Sequence, residues 1–284
     1  MTSFPRRAPL QRRGAWSASQ RSFGIAIDLG SARTRAWMPD HGLIFDVPTI
    51  TSPGADGVSY PVRRGNIVDR PGAARMLDQL LGCRAGLGRY SLIVLTTPVL
   101  CADQQRSAAL AALEVLDVRK VLTIESVKAA AFGAGADLNR PLLVVDIGAH
   151  LTEVGLLVHS AVMQAHRLAV GTSDLGTTTT AAGLVRSIVA VVTDLLGQDC
   201  RPQVVGALDR GLLLTGGGAL RPEITYRLAK RLSAPVRPAP APHFAAIRGA
   251  GLTLVAAQRH PSFGTKSRCD SLRLPAGGTE RRAD

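Results

Sequence analysis

Three segments far apart in the chain end an apolar strand on the same kind of corner. Leu142-Leu143-Val144-Val145 runs into Asp146 and a Gly-containing turn, and a second apolar strand follows from Val154 to Val158. Phe23 to Ile27 runs into Asp28-Leu29-Gly30-Ser31, and Gly211 to Thr215 runs into Gly216-Gly217-Gly218-Ala219. The first two read as β-hairpins with a carboxylate at the mouth of the turn. Two corners carrying Asp and one carrying three glycines suggest a phosphate cradle assembled from distant parts of one chain.

The rest of the chain falls into place around these corners. Residues 23–38 form one hairpin, Phe45 to Thr51 a third strand, and Ser52 to Gly65, rich in Pro, Gly and Ser, a loop. Ala73, Ala74, Leu77, Leu80 and Leu81 recur at helical spacing behind Pro71, which predicts a helix over Asp69 to Leu81. Strand Ser91 to Thr97, helix Asp103 to Leu116, strand Lys120 to Ile124 and helix Ser126 to Ala134 complete a first half. The second half repeats the order: hairpin Leu142 to Val158, strand Ala161 to Val170, helix Thr180 to Leu196, strand Leu212 to Thr215, helix Pro222 to Leu232, strand Pro235 to Arg237 and helix Ala245 to Ala257. Two similar half-chains, each opening with an Asp-bearing hairpin, predict a duplicated α/β architecture of mixed sheets covered by helices. The expected division is a basic arm over 1–22, a first lobe over 23–140, a second over 141–258 and a tail over 259–284.

Charge is concentrated at the ends. Of the net +13, residues 1–22 supply five arginines and no acid, and residues 259–284 a surplus of three, which leaves about +5 for the body. Such tails suit an anionic surface better than a DNA-reading domain. The arm reads either as a solvated segment, broken by Pro5, Pro9 and Gly14, or as a weak lipid contact with Trp16 at the interface. It has no apolar core of a secretory signal, and its acid-free Arg and Ser content loosely matches an organelle presequence. The tails lack the interleaved aromatics that nucleic-acid binding uses. Cys83, Cys101, Cys200 and Cys269 have no metal-ligand spacing and read as reduced thiols. No apolar run approaches the ~18 residues of a membrane span.

Chemistry points to the corners. Backbone amides in a tight turn can converge on a phosphate, with Ser31 as a hydroxyl donor and Arg33 as a charge. Asp28 and Asp146, on opposite turns, could hold Mg2+ through water. Gly216-Gly217-Gly218 permits close backbone approach and opens a helix whose N-terminus favours anions. Glu125, taken alone, reads as an exposed acid at a helix start.

Together these residues resemble the actin-like ATPase superfamily, and specifically the MreB/Mbl family of bacterial cell-shape proteins. Ile27 to Thr34 resembles the family's first phosphate loop, D-L-G-T-A-N-T, and Gly65 to Asp69 its G-V-I-A-D. Ile124 to Gly135 resembles I-E-E-P-M-A-A-A-I-G-A-G, and Leu214 to Pro222 the adenosine-binding loop. The resemblance spans roughly 23–257 and implies an actin-like (ribonuclease-H-like) fold with ATP and Mg2+ between two lobes. It implies Asp28 and Asp146 at the metal and Glu125 positioning the attacking water. Phosphates and adenosine fall to Gly30, Ser31, Ala32, Arg33, Gly148, Ala149, His150, Leu151, Gly216, Gly217, Gly218 and Ala219.

Departures concentrate in the second loop. The family's D-I-G-G-G-T-T-E is here Asp146-Ile147-Gly148-Ala149-His150-Leu151-Thr152-Glu153, so two glycines and a hydroxyl donor are replaced. If those glycines use positive φ, each replacement costs about 1–2 kcal/mol. The second acid of I-E-E-P is Ser126, and both small outer subdomains are short. The resemblance implies a cytoplasmic protein, peripheral at the inner face of the cell membrane, that binds and hydrolyses ATP. It implies self-association into filaments and partners in cell-wall synthesis or morphogenesis, with a membrane-touching loop matching Leu87 to Tyr90. A nucleotide-free or weakly binding scaffold and a kinase of the same superfamily are the other readings.

Overall fold

The computed structural model describes residues 23–54, 57–82 and 90–260. Two five-stranded sheets carry the same topology. In the first, β1 (Phe23–Leu29) pairs antiparallel with β2 (Arg33–Met38), which pairs with β3 (Gly42–Pro48). On its other side β1 runs parallel to β8 (Tyr90–Thr97), and β8 runs parallel to β9 (Val121–Glu125). The second sheet repeats this order with β10 (Leu142–Ile147), β11 (Thr152–Val158), β12 (Ala161–Leu168), β13 (Leu212–Thr215) and β14 (Val236–Pro238). The duplication read from the sequence is therefore a duplication of strand order, and the fold is mixed α/β.

Between β3 and β8 the chain makes two short hairpins and a helix. They are β4 (Thr51–Gly54) with β5 (Gly57–Ser59), β6 (Val62–Arg63) with β7 (Asn66–Ile67), and α1 (Arg70–Leu81). The loop expected over Ser52 to Gly65 is thus mostly paired strand; its Pro and Gly content marks edges and turns rather than an absence of pairing. Asp69 caps α1 by accepting from the Gly72 amide. The equivalent connection in the second half, between β12 and the next helix, holds only a 3-10 turn at Thr172–Asp174. Among the described residues, the second half therefore has nothing that matches the two hairpins and α1 of the first.

Helices α2 (Asp103–Leu113), α3 (Ser126–Gly133), α4 (Ala181–Leu196), α5 (Arg201–Arg210), α6 (Pro222–Leu232) and α7 (Ala245–Arg259) complete the set. Helix α5 has no counterpart in the sequence reading. Pro202, Gly206 and an apolar stripe reduced to Val204, Ala207 and Leu208 hide its period. At the other end, α7 continues two residues beyond Ala257, so Arg259 belongs to the helix. The arm with Trp16, the loop at 87–89, Cys83 and Cys269 lie outside the described residues, as does the tail from 261; Cys101 and Cys200 are free. Among the described residues no helix is long and apolar enough to cross a membrane.

Strand alternation assigns each sheet two faces. Ile25, Ile27, Ile93 and Leu95 pack with α1 and α2 on one face of the first sheet, while Ala26, Leu92 and Val94 pack against α7 on the other. In the second sheet Leu143, Val145 and Ile147 meet α4, α5 and α6, and Leu142 and Val144 meet α3. The central helices are exchanged: α3, from the first half, lies on the second sheet, and α7, from the second half, lies on the first. They cross so tightly that a Cβ at Gly133 would collide with the Ala245 carbonyl oxygen, and one at Gly249 with that of Ala129. Backbone cannot yield as a side chain can. Gly249→Ala is therefore expected to lower the melting temperature by roughly 4–12 °C, from an overpacking penalty of about 2–3 kcal/mol. Gly206→Ala, with open space around it in α5, should instead stabilise by about 0.5–1 kcal/mol. Equal melting shifts for the two variants would contradict this packing.

Candidate functional site: the two hairpin turns and the glycine loop

The two Asp-bearing hairpins close in the same way. The Gly30 amide donates to the Arg33 carbonyl at 3.1 Å, and the Gly148 amide to the Leu151 carbonyl at 2.9 Å. Each turn is buttressed by the residues after the third strand of its own sheet. In the first, Thr49 donates its amide to Ala32 O and its hydroxyl to Gly30 O. In the second, the Thr172 and Ser173 amides donate to Gly148 O and Ala149 O. Gly30, Gly148, Ala149 and His150 all have negative φ. The replacement of glycine by Ala149 and His150 therefore brings no left-handed strain, contrary to the penalty considered above.

Register puts a different partner beside each acid. Asp28 stands opposite Arg35, whereas Asp146 stands opposite Glu153; directly opposed residues share a face. Asp28 accepts from the Thr96 hydroxyl at 2.7 Å and from Arg35 Nη1 at 3.3 Å. Asp146 has no hydrogen-bonded cation among the described residues and feels Arg35 only at a distance, and burial followed by the charge of Asp28 pushes its carboxyl up to about 6. Glu153 is almost completely buried and accepts from the Val99 amide at 2.6 Å. Burial, followed by the charge of Asp146, pushes it up to about 8. Glu153 is then protonated at neutral pH.

The third corner closes on the second. Gly216 takes φ +79°, and a Cβ there would run into Asp146 Oδ1 and the Ile147 carbonyl. A Cβ at Gly218 would strike the Ile147 side chain, while one at Gly217 would meet open space. The glycines form their own 3-10 turn, Gly217–Leu220, and α6 begins only at Pro222 behind Arg221. The expected helix N-terminus thus lies one turn beyond the loop, because Pro222 fits the first turn of α6. Ala219 is packed into the second core.

The remaining residues divide. Glu125 precedes α3 at the end of β9, in register with Thr97, with its side chain capping nothing. Two strand spacings separate β9 from β1, which places Glu125 roughly 10 Å across the sheet end from Asp28. Arg33 is not a free phosphate charge: its Nε lies 2.5 Å from Asp46 Oδ1, and Nη2 donates to Asp46 O. The Ser31 hydroxyl accepts from the Gly65 amide at 3.3 Å, which leaves its own proton available. Leu151 packs beside Gly65. The sequence reading missed Arg35, Glu153, Arg64 and Asp174. For the first two a signal existed, since counting outward from either turn opposes Asp28 to Arg35 and Asp146 to Glu153.

These residues suit a nucleotide with a divalent cation. The charge of Asp28 bears on Asp146 beside a loop that has no room for a Cβ at Gly216 or Gly218. The amides of Ser31, Ala32, Ala149 and His150 donate to no acceptor among the described residues. Unpaired turn amides are donors of the kind that bind phosphate, and carboxylates are ligands of the kind that suit a hard cation.

The family model described as MreB/Mbl protein matches residues 51–181, from β4 to the start of α4. Over that stretch the chain is similar to the MreB/Mbl family, and its fold is shared with solved actin-like proteins. MreB5 of Spiroplasma citri bound to AMPPNP superposes on this chain with a TM-score of 0.73 at 17% identity, covering 84% of this chain and 98% of that one. The same protein bound to ADP gives 0.72 at 17%, over 83% and 97%. The MamK double helical filament gives 0.67 at 16%, over 84% and 99%. The ethanolamine utilization protein EutJ from Carboxydothermus hydrogenoformans gives 0.58 at 14%, over 81% and 89%.

The protonated Glu153 has a measurable consequence. Between its ordinary value of 4.5 and about 8, the folded chain holds a proton that the unfolded chain has released, so stability falls as pH rises through that window. Asp146 adds the same sign between 3.8 and about 6. Glu153→Gln keeps an acceptor for the Val99 amide and removes the titration. Its melting temperature should decline less than that of the unsubstituted chain between about pH 6 and about pH 9, with a gap of several degrees at the upper end. Parallel declines would refute the assignment.

Proposed function

We propose that this protein is an MreB/Mbl-like cytoskeletal protein that binds ATP and Mg2+ between its two lobes. In this reading it assembles into filaments at the inner face of the cell membrane and there guides cell-wall synthesis and cell shape. The observation that carries it is the meeting of three distant corners, with the charge of Asp28 felt at Asp146 and Gly216 closed on both Asp146 and Ile147. Solved MreB5 structures hold ADP and AMPPNP, and MamK is seen in a double helical filament, which supports nucleotide binding and self-assembly here.

The residues take defined roles in this reading. Asp28 and Asp146 would hold the cation, Asp28 being held in place by hydrogen bonds from Thr96 and Arg35. The amides of Ser31, Ala32, Ala149 and His150 and the Ser31 hydroxyl hold phosphate, and Gly216 to Ala219 lie along the nucleoside side. Glu125 accepts a hydrogen bond from water and orients it. Bound Mg2+ supplies charge neutralisation for phosphoryl transfer, a reaction that needs positioning more than covalent help. Contact with anionic lipid falls to the arginine-rich arm and to the loop matching Leu87 to Tyr90, whose last residue is buried in β8.

Ultracentrifugation tests the reading. With Mg·ATP the full chain should pellet above a threshold concentration and co-sediment with anionic vesicles; without nucleotide most should stay in the supernatant. Asp146→Asn should raise the threshold at least about tenfold, since a contact to a charged group is worth about 1.5–3 kcal/mol. A pellet indifferent to both nucleotide and variant would contradict it.

A further inference from the structure

The two-residue turn between β6 and β7 is an unusual place for an arginine. Arg64 has φ +47° and Gly65 φ +75°, the paired left-handed geometry of a tight hairpin turn in which Asn, Asp or Gly is the ordinary first residue. A left-handed arginine is strained locally and persists where the surroundings hold it. Its surroundings belong to the other lobe. Arg64 Nη2 donates to Asp174 Oδ1 at 2.9 Å, and Nη1 donates to His150 O at 3.2 Å and to Ala169 O. In return Arg167 Nη2 donates to Arg64 O at 3.2 Å, while its Nη1 reaches Gln105 Oε1 on α2 at 3.2 Å.

The same turn is wedged as well as bonded. A Cβ on Gly65 would lie 2.8 Å from Pro98 of the first lobe and 2.9 Å from Leu151 of the second. Leu151 is the residue that replaces a hydroxyl in the second loop, and here its side chain packs against the turn. The receiving acid is held in place: Asp174 is buried and also accepts from the Gly171 amide at 2.8 Å and the Thr178 hydroxyl at 3.5 Å. The Arg64 hydrogen bond holds its carboxyl below the usual range, with the Gly171 amide and His150 acting in the same direction.

We propose that the Arg64–Gly65 turn is an interlobe clasp: it seats in the second lobe at Asp174, His150 and Leu151 and holds the cleft closed in the chain without nucleotide. Bidentate guanidinium–carboxylate pairing with one buried partner gives such a contact geometry as well as attraction. The clasp replaces closure by outer lobes that this chain has in reduced form. His150 and Leu151 thereby acquire a role as its seat, independent of any phosphate. The inference goes beyond the proposed function, because it concerns the ligand-free chain.

Hydrogen exchange on the full chain, without nucleotide, tests it. The Val99 amide is sealed by Glu153 across the same lobe boundary, and the Thr172 and Ser173 amides close the second turn beside Asp174. Arg64→Ala should speed exchange of these segments at least about tenfold while the core strands keep their protection. Arg64→Lys, which retains charge but loses the fork, should give an intermediate acceleration in the same segments. Wild-type exchange there in Arg64→Ala would overturn the clasp. If Arg64→Ala loses protection throughout, Arg64→Lys decides between the outcomes: local acceleration supports the clasp and unchanged exchange overturns it. Mg·ATP added to the unsubstituted chain probes the nucleotide reading separately, so either idea can fail alone.

Discussion

The crossing of α3 and α7 is the contact on which the rest of this structure depends. Each helix is supplied by one half of the chain and laid on the sheet of the other, and the two backbones approach at Gly133 and Gly249 with no room for a Cβ. The exchange sets the distance between the sheets, and so the separation of the hairpin turns at their ends. A bulkier crossing would push the sheets apart and move Asp28 away from Asp146. Small residues in α3, Ala129, Ala130 and Ala131, are buried for the same reason.

From a duplicated scaffold the chain has made two unequal turns. The backbone closures match bond for bond, but Arg35 neutralises the first acid and Glu153 accompanies the second. The first turn is charged and pinned; the second is enclosed and short of a cation. That difference gives Asp146 and Glu153 their raised affinities for protons.

Local pattern made the hairpins, their acids and the long amphipathic helices legible. Alternation located β1, β2, β10 and β11, and period located α1 and α4, whose expected first residues, Asp69 and Thr180, are their caps. Elements without a local stripe were not legible: β4 to β7 sit among Pro and Gly, and α5 is interrupted by Gly206. The site divided along the same line. Asp28, Asp146, Gly30, Gly148 and Gly216 announce themselves by motif and by their position at strand ends. The engagement of Arg33 with Asp46, the burial of Glu153 under Val99 and the reach of Arg64 to Asp174 depend on contacts between distant segments. A phosphate loop judged by its lost glycines looked damaged; its negative φ values show a turn that accommodates Ala149 and His150 without strain.

Whether the three corners act together as one nucleotide site is the central question. Isothermal titration calorimetry of the full chain with Mg·ATP answers it most directly. The account predicts saturable heat with a dissociation constant below about 1 mM, equivalent to roughly 4 kcal/mol of binding free energy, and loss of that heat when Mg2+ is chelated. Binding weaker than that, or heat indifferent to Mg2+, would contradict it.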